Sequence, residues 1–326
     1  MKHISILVPE GNNNLSSIVG SYKILTRANS LWREKRGRER YYIELLGTSD
    51  QVFFHGGQFS VKTQRRISSC RRTNLIIIPS LNHHFEEAIR SNGELITWIV
   101  DQYKNGAEVA SICTGAFLLA SSGLLNGRSC STHWGFAHTF QKMFPQVRLQ
   151  TNQLITDENG IYTNGGAYSF LNLLLYLVEK YFDREIAIRC SKIFQIELDR
   201  FSQSPFIIFS GMKSHDDEVI KQAQFYMEDH VATRLSIEEL AAKFALGRRN
   251  FDRRFVKATG LTPVEYMQRI KIEAAKKEME VSRKNINEIM YEVGYSDTKA
   301  FRTVFRKVTG MSPLEYRSRF NKEAIF

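Results

Sequence analysis

With 326 residues, 43% of them hydrophobic, and only six prolines, the chain has room for two or three packed domains and little disorder. Its net charge of +11 favours anionic partners, nucleic acid first, yet residues 213–326 carry 22 basic against 17 acidic side chains, so bulk charge does not locate a binding face. Four cysteines without a CxxC pair argue against a metal site or a disulfide framework, and no stretch approaches the roughly 18 apolar residues of a membrane span.

The N-terminal apolar run, closed by Pro9-Glu10-Gly11, is too short for a signal peptide, which predicts a cytoplasmic protein. His3 to Val8 reads as a strand and Leu15 to Trp32 as a helix. Tyr41–Leu46 and Leu75–Ile78 are again strand-like, the second apolar throughout, as a strand covered on both faces should be. Gly93–Lys104 reads as helix, Val109–Ile112 as strand, Gly115–Ser122 as helix and Phe170–Tyr181 as an apolar helix. This βαβ alternation predicts a parallel sheet with helices on both faces. Beyond residue 195 the pattern breaks. Residues 196–215 read as linker, and from 216 to 326 no strand signal remains.

That last segment contains a repeat. Residues 251–266 and 301–316 share eight of 16 positions at an offset of 50, and Ile237, Glu239 and Leu240 match Ile286, Glu288 and Ile289 at an offset of 49. Each copy has a helix-turn-helix layout. In the first, Ser236 and Glu239 form a capping box before a helix over Ile237–Ala245, and a turn at Leu246-Gly247 leads to a second helix. There Phe251, Phe255 and Ala258 share one face, with Arg249, Arg253 and Lys257 on the other. In the second copy Phe301 and Phe305 face inward while Lys299, Arg302, Thr303 and Arg306 face outward. Charged outer faces are usually only solvated. Two such helices on one spacer, Pro263–Val281, could instead enter successive major grooves about 34 Å apart.

By these residues the segment 236–320 resembles the AraC/XylS family, whose L-x-R-x-F and G-x-S-P-x-x-Y pattern is met by Phe251-Asp-Arg253-Arg-Phe255 with Gly260, Pro263 and Tyr266, and again by Gly310, Pro313 and Tyr316. The resemblance implies double-stranded DNA as partner and RNA polymerase as a second. It places recognition at Arg249, Asp252 and Arg253, and at Thr298, Lys299, Arg302 and Thr303. Gly247 stands where a Ser cap is usual, and Thr303 where Arg is common.

In the first segment, an apolar strand runs into Cys113-Thr-Gly and then a helix, a sharp turn that sets the thiol beside a helix N-terminus. With Gly123-Leu-Leu-Asn-Gly127, Ser131-Thr-His-Trp134 and Thr163-Asn-Gly-Gly166, residues 3–190 resemble the PfpI/ThiJ-like branch of the class I glutamine-amidotransferase-like superfamily. That resemblance implies a flavodoxin-like α/β sandwich, often dimeric, serving as a sensor. Thr114 stands where the proteolytic members carry a His, which favours ligand contact over catalysis.

The expected architecture is therefore a sensing domain over 1–195, a linker over 196–215 and an all-α double helix-turn-helix over 216–326. The expected effector pocket comprises Glu10, Cys113, Thr114 and His133, with no cofactor, no metal and no catalytic residue assigned. The rival reading is a Cys113-dependent amidase or hydrolase with a DNA-binding tail. Cys70, Cys130 and Cys190 are expected as small buried hydrophobes, and the basic clusters at 33–40, 65–66 and 71–72 as solvated surface.

Overall fold

Leu75-Ile-Ile-Ile78 is apolar at every position because it lies near the centre of a sheet covered on both sides, and all four side chains are buried. A computed structural model of the chain describes residues 2–198, 200, 202–233 and 235–321. Residues 1, 199, 201, 234 and 322–326, including Phe201 of the expected linker and the tail of the expected helical domain, lie outside the described residues. The chain divides into two units, Met1–Gln203 and Ser204–Phe326.

The first unit is built on β1 (Lys2–Leu7), β2 (Tyr41–Gly47), a hairpin of β3 (Gln51–Phe54) and β4 (Phe59–Lys62), β5 (Arg65–Arg66), β6 (Leu75–Ile78), β7 (Glu108–Ser111), a short parallel pair of β8 (Ser129–Cys130) and β9 (Arg148–Leu149), β10 (Ile155–Glu158) and β11 (Ile161–Asn164). The main sheet has the order β10-β11-β7-β6-β1-β2-β5 and is parallel except for β10 at its edge. Helices α1 (Leu15–Arg36), α6 (Phe170–Tyr181) and α7 (Arg184–Phe194) cover one face. The other carries α2 (Phe85–Ser91), α3 (Gly93–Lys104), α4 (Ala116–Ser121) and α5 (Ala137–Met143). Alternation along β6 assigns Leu75 and Ile77 to the first core and Ile76 and Ile78 to the second. The hairpin escapes sequence reading because its strands are four residues long and flank Gly56-Gly57, too short for a period to register.

All four cysteines are buried and free. The basic cluster at 65–66 is not wholly solvated: Arg65 bonds the buried Glu44 carboxylate, which also takes His3 Nε2 at 2.9 Å.

The second unit is helical: α8 (Glu218–Asp229), α9 (Ile237–Lys243), α10 (Arg248–Thr259), α11 (Pro263–Val281), α12 (Ile286–Glu292), α13 (Thr298–Thr309) and α14 (Pro313–Phe320). Capping boxes start α9, α11, α12 and α14, pairing Ser236 with Glu239, Thr262 with Glu265, Asn285 with Glu288 and Ser312 with Glu315. The central helix α11 contributes Tyr266, Met267 and Ile270 to one core and Ile272, Ala275 and Met279 to another. Each helix-turn-helix copy thus has its own core on a shared spine. Lys271 sits between them and donates to Val231 O, Thr233 O and Val293 O at 2.7, 3.3 and 2.9 Å.

Several described residues between 196 and 215 are held by hydrogen bonds. Glu197 O accepts from Asn172, and Ser202 Oγ donates to Asn152 O at 2.9 Å, both within the first unit. Further along, Ile207 O accepts from Lys276 Nζ at 2.6 Å and Phe209 packs edge-on against Tyr266, both in the second unit. Among the described residues no helix is long and apolar enough to cross a membrane.

Candidate functional site

Two places concentrate chemistry, one in each unit. In the second unit the repeat makes two equivalent surfaces. Phe251, Phe255 and Thr259 bury one side of α10, as Phe301, Phe305 and Thr309 do for α13. Both threonine hydroxyls donate back to the preceding turn, to Phe255 O and Phe305 O at 2.8 Å. Gly260 and Gly310 close the helices with φ of 73° and 75°. With the inner faces identical, the outer faces are left to differ.

The five cations of α10 separate into two groups. Arg248 bonds Glu238 and, at 2.8 Å, Asp252, while Arg254 makes a two-pronged pair with Asp217 at 2.7 and 2.9 Å. These pairs staple α10 to α9 and α8. Arg249, Arg253 and Lys257 are exposed and form no ion pair among the described residues; Arg253 only touches Asn250 Oδ1 at 3.0 Å. The Asp252 carboxylate, expected at the recognition surface, is tied to Arg248 at one oxygen, with the other buried and unbonded. Gly247 caps α10 without a side-chain bond, whereas Asp297 accepts from Ala300 N at the start of α13. On α13, Lys299, Arg302, Thr303 and Arg306 are exposed and Thr298 is half-buried. Thr303 Oγ1 donates to Lys299 O at 2.8 Å, and Arg306 lies 3.9 Å from Glu315. The groove of about 450 Å³ beside Arg302, Thr303 and Arg306 is floored by Ser312, Pro313 and the exposed Leu314.

In the first unit, β7 ends in a sharp elbow. Cys113 has φ of 52°, left-handed for a non-glycine residue, followed by one 3-10 turn and α4. A Cβ at Gly115 would stand 2.5 Å from Pro79 O, so only glycine lets the elbow press against the end of β6. The elbow backbone is held on both sides. Cys113 N–H donates to Asn164 Oδ1 at 2.9 Å, and Cys113 C=O accepts from Thr132 Oγ1 at 3.0 Å.

Cys113 is 4% exposed. Burial pushes its thiol pKa up, although the Ser80 and Thr114 hydroxyls and the backbone N–H groups of Thr114 and His133 approach the sulfur and pull the other way. The expected pocket residues are deployed differently from one another. Thr114 Oγ1 is spent internally, donating to Leu81 O at 2.6 Å and meeting Leu81 N and Ser80 Oγ. Glu10 Oε1 takes the hydroxyls of Thr48 and Ser49, and among the described residues no hydrogen bond joins Glu10 to Cys113. His133 is half-buried, its Nδ1 accepts from Gly135 N at 3.0 Å, and burial lowers its pKa. The histidine presents neutral Nε2–H and an aromatic edge against Trp134 and Phe136.

Sequence reading missed Gln203. It is 1% exposed, and its Nε2 donates to Thr132 O at 3.1 Å. A Cβ on Gly165 would overlap the Gln203 amide, which is a reason for glycine there. A polar residue in a Ser/Pro-rich stretch reads as loop, and nothing local signals its burial.

The helix-turn-helix domain family matches residues 240–319 and the DJ-1/PfpI family matches residues 49–180. The chain is 26% identical over 214 residues to the HTH-type transcriptional regulator GbdR of Pseudomonas aeruginosa, covering 65% of this chain and 58% of GbdR, less than two thirds of that relative's length. A solved structure from Vibrio parahaemolyticus superposes with a TM-score of 0.53 at 27% identity, over 59% of this chain and 98% of that one. An AraC family transcriptional regulator from Pseudomonas putida shares the fold at a TM-score of 0.50 and 18% identity, over 60% of this chain and all of that one. The chain joins an N-terminal DJ-1/PfpI domain to a C-terminal helix-turn-helix domain.

Proposed function

We propose that this protein is a sequence-specific DNA-binding regulator of transcription, an activator acting with RNA polymerase, whose N-terminal domain binds a small metabolite near Cys113 and forms a homodimer. The observation that carries the reading is the repeated surface of the second unit. Arg249 and Lys299 occupy equivalent positions 50 residues apart, exposed and free of carboxylate partners among the described residues, on the second helix of each copy. The names of relatives such as GbdR support the same reading. Recognition is assigned to Arg249, Arg253 and Lys257, and to Thr298, Lys299, Arg302, Thr303 and Arg306. Asp252 acts by orienting Arg248.

Ligand contact is favoured over turnover at Cys113. A buried thiol held up in pKa, a neighbouring Thr whose hydroxyl is spent, and a His whose Nδ1 is occupied leave no assembled base. The elbow itself is what favours the rival hydrolase reading.

The test is fluorescence anisotropy on the protein's own upstream DNA and on a scrambled duplex, at two salt concentrations. Preference for the upstream DNA that survives moderate salt is the expected result. Equal binding that vanishes with salt would refute the regulator. Turnover of an amide or ester, lost in Cys113→Ala while DNA binding persists, would establish the enzyme instead.

A further inference from the structure

The first unit ends at Gln203 and the second begins at Ser204. Gln203 is thus the final residue of the sensing unit, and it is anchored on the two loops that hold the Cys113 elbow. Thr132 gives its hydroxyl to Cys113 O and its carbonyl to Gln203 Nε2. Asn164 takes Cys113 N–H, and the next residue, Gly165, lies flat against the Gln203 amide. Gln203 N–H donates to Asn152 O at 3.2 Å.

On the far side the grip resumes at once. Pro205 is buried, Phe206 meets Phe320 edge-on with the Arg319 guanidinium over its ring, and Ile207 O takes the buried Lys276 Nζ. Phe209 N–H then reaches Glu273 Oε2 at 3.2 Å. Only three residues lie between Gln203 and Ile207, so the four steps of chain joining them span at most about 14 Å.

Gln203 is also incompletely satisfied. Its Oε1 is buried without a hydrogen-bond partner, while its Nε2 has one good acceptor and two more at 3.5 Å. An unpaired buried carbonyl makes the inserted state costly, so a small change in the 131–133 or 164–165 loops can tip it.

We propose that Gln203 is the positioning residue that couples the Cys113 site to the DNA-reading unit: rearrangement of the elbow loops withdraws or resets its amide, and the short strap through Ile207 passes the shift to α11 and α14. This rests on the reading that the effector binds near Cys113. The source of the shift is a differential contact in two states, as coupling requires.

The experiment is hydrogen–deuterium exchange on the full chain without DNA, comparing wild type with Gln203→Ala and Gln203→Glu. The Glu variant keeps the size but presents no N–H to Thr132 O. Expected is at least about tenfold faster exchange, equivalent to one lost hydrogen bond of roughly 1.4 kcal/mol, in amides 206–209 and in α14, at unchanged far-UV circular dichroism. Acceleration confined to residues 129–165 would overturn the proposal, since Gln203 would then serve its own unit only. Should Gln203→Ala fail to fold, Gly165→Ala, whose methyl pushes on the amide, supplies the same comparison. Because no DNA is present, this readout is independent of the anisotropy assay: loss of DNA preference in wild type would refute the regulator and leave the exchange result to decide the coupling.

Discussion

Replacing Lys271 by Met tests whether one buried cation sets the spacing of the two helix-turn-helix copies. Lys271 is 7% exposed, and its ammonium binds three backbone carbonyls, two in the loop after α8 and one, Val293 O, at the end of α12. Met preserves volume and removes all three bonds. Val293 is buried, so its carbonyl stays unpaired, whereas Thr233 is exposed and water replaces its lost bond. One fully orphaned acceptor and one partly orphaned one, at about 1–3 kcal/mol each, give an expected loss of about 2–4 kcal/mol. Burial already pulls the lysine pKa down, which places the expected loss nearer the lower end. For a unit of this size, thermal unfolding should shift down by about 10 °C. The assay is calorimetry of the full chain, with anisotropy on upstream and scrambled DNA below the transition. Upstream affinity should fall more than scrambled affinity, because only specific binding needs both helices in register. A shift under 2 °C, or equal loss on both duplexes, would refute the argument that Lys271 fixes the spacing. Gly294→Ala should behave alike, since its Cβ would lie 2.5 Å from Lys271 Nζ and from Ala232 O.

Four further outcomes follow from single groups. Arg253→Ala should weaken upstream DNA binding by about 1–3 kcal/mol if the guanidinium reads a base edge; a matching loss on scrambled DNA reassigns it to phosphate. Cys113 should react with iodoacetamide at pH 7.5 far more slowly than free cysteine, because burial holds the thiol protonated; rapid, saturating labelling by mass spectrometry would contradict that. The Arg254 guanidinium bonded to it is the main influence holding the Asp217 carboxyl below its usual range, so the pair's stabilisation is complete above the unfolded carboxyl value near 3.8 and is lost as pH falls through the lower folded value. Asp217→Asn should therefore flatten the acid limb of the stability curve for the helical unit, and an unchanged limb would rule the pair out. Gly115→Ala should destabilise the first unit by about 1–3 kcal/mol or more through the steric clash of its Cβ with Pro79 O, visible as a lower first unfolding transition.

What the sequence determined by itself was whatever a local period or a repeat can carry. The ends of Leu75–Ile78, Gly93–Lys104, Phe170–Tyr181 and Pro263–Val281 were readable because runs of apolar residues and caps act within a few residues of themselves. The two helix-turn-helix copies were readable because both had to bury the same Phe pair, leaving the exposed cations in register. Tertiary structure alone decided how side chains far apart in sequence spend their hydrogen bonds. It divided the cations of α10 into Arg248 and Arg254, consumed by Glu238, Asp252 and Asp217, and Arg249, Arg253 and Lys257, left outward. It spent the Thr114 hydroxyl on Leu81, drew Glu10 to Thr48 and Ser49, and buried Gln203 between Thr132 and Gly165. Apart from Arg248 and Asp252, four residues apart on α10, none of these pairings has a spacing or a period, because each is fixed by where the fold brings separate segments together. Hydrophobic patterning acts along the chain, whereas hydrogen-bond satisfaction of buried polar groups acts across it.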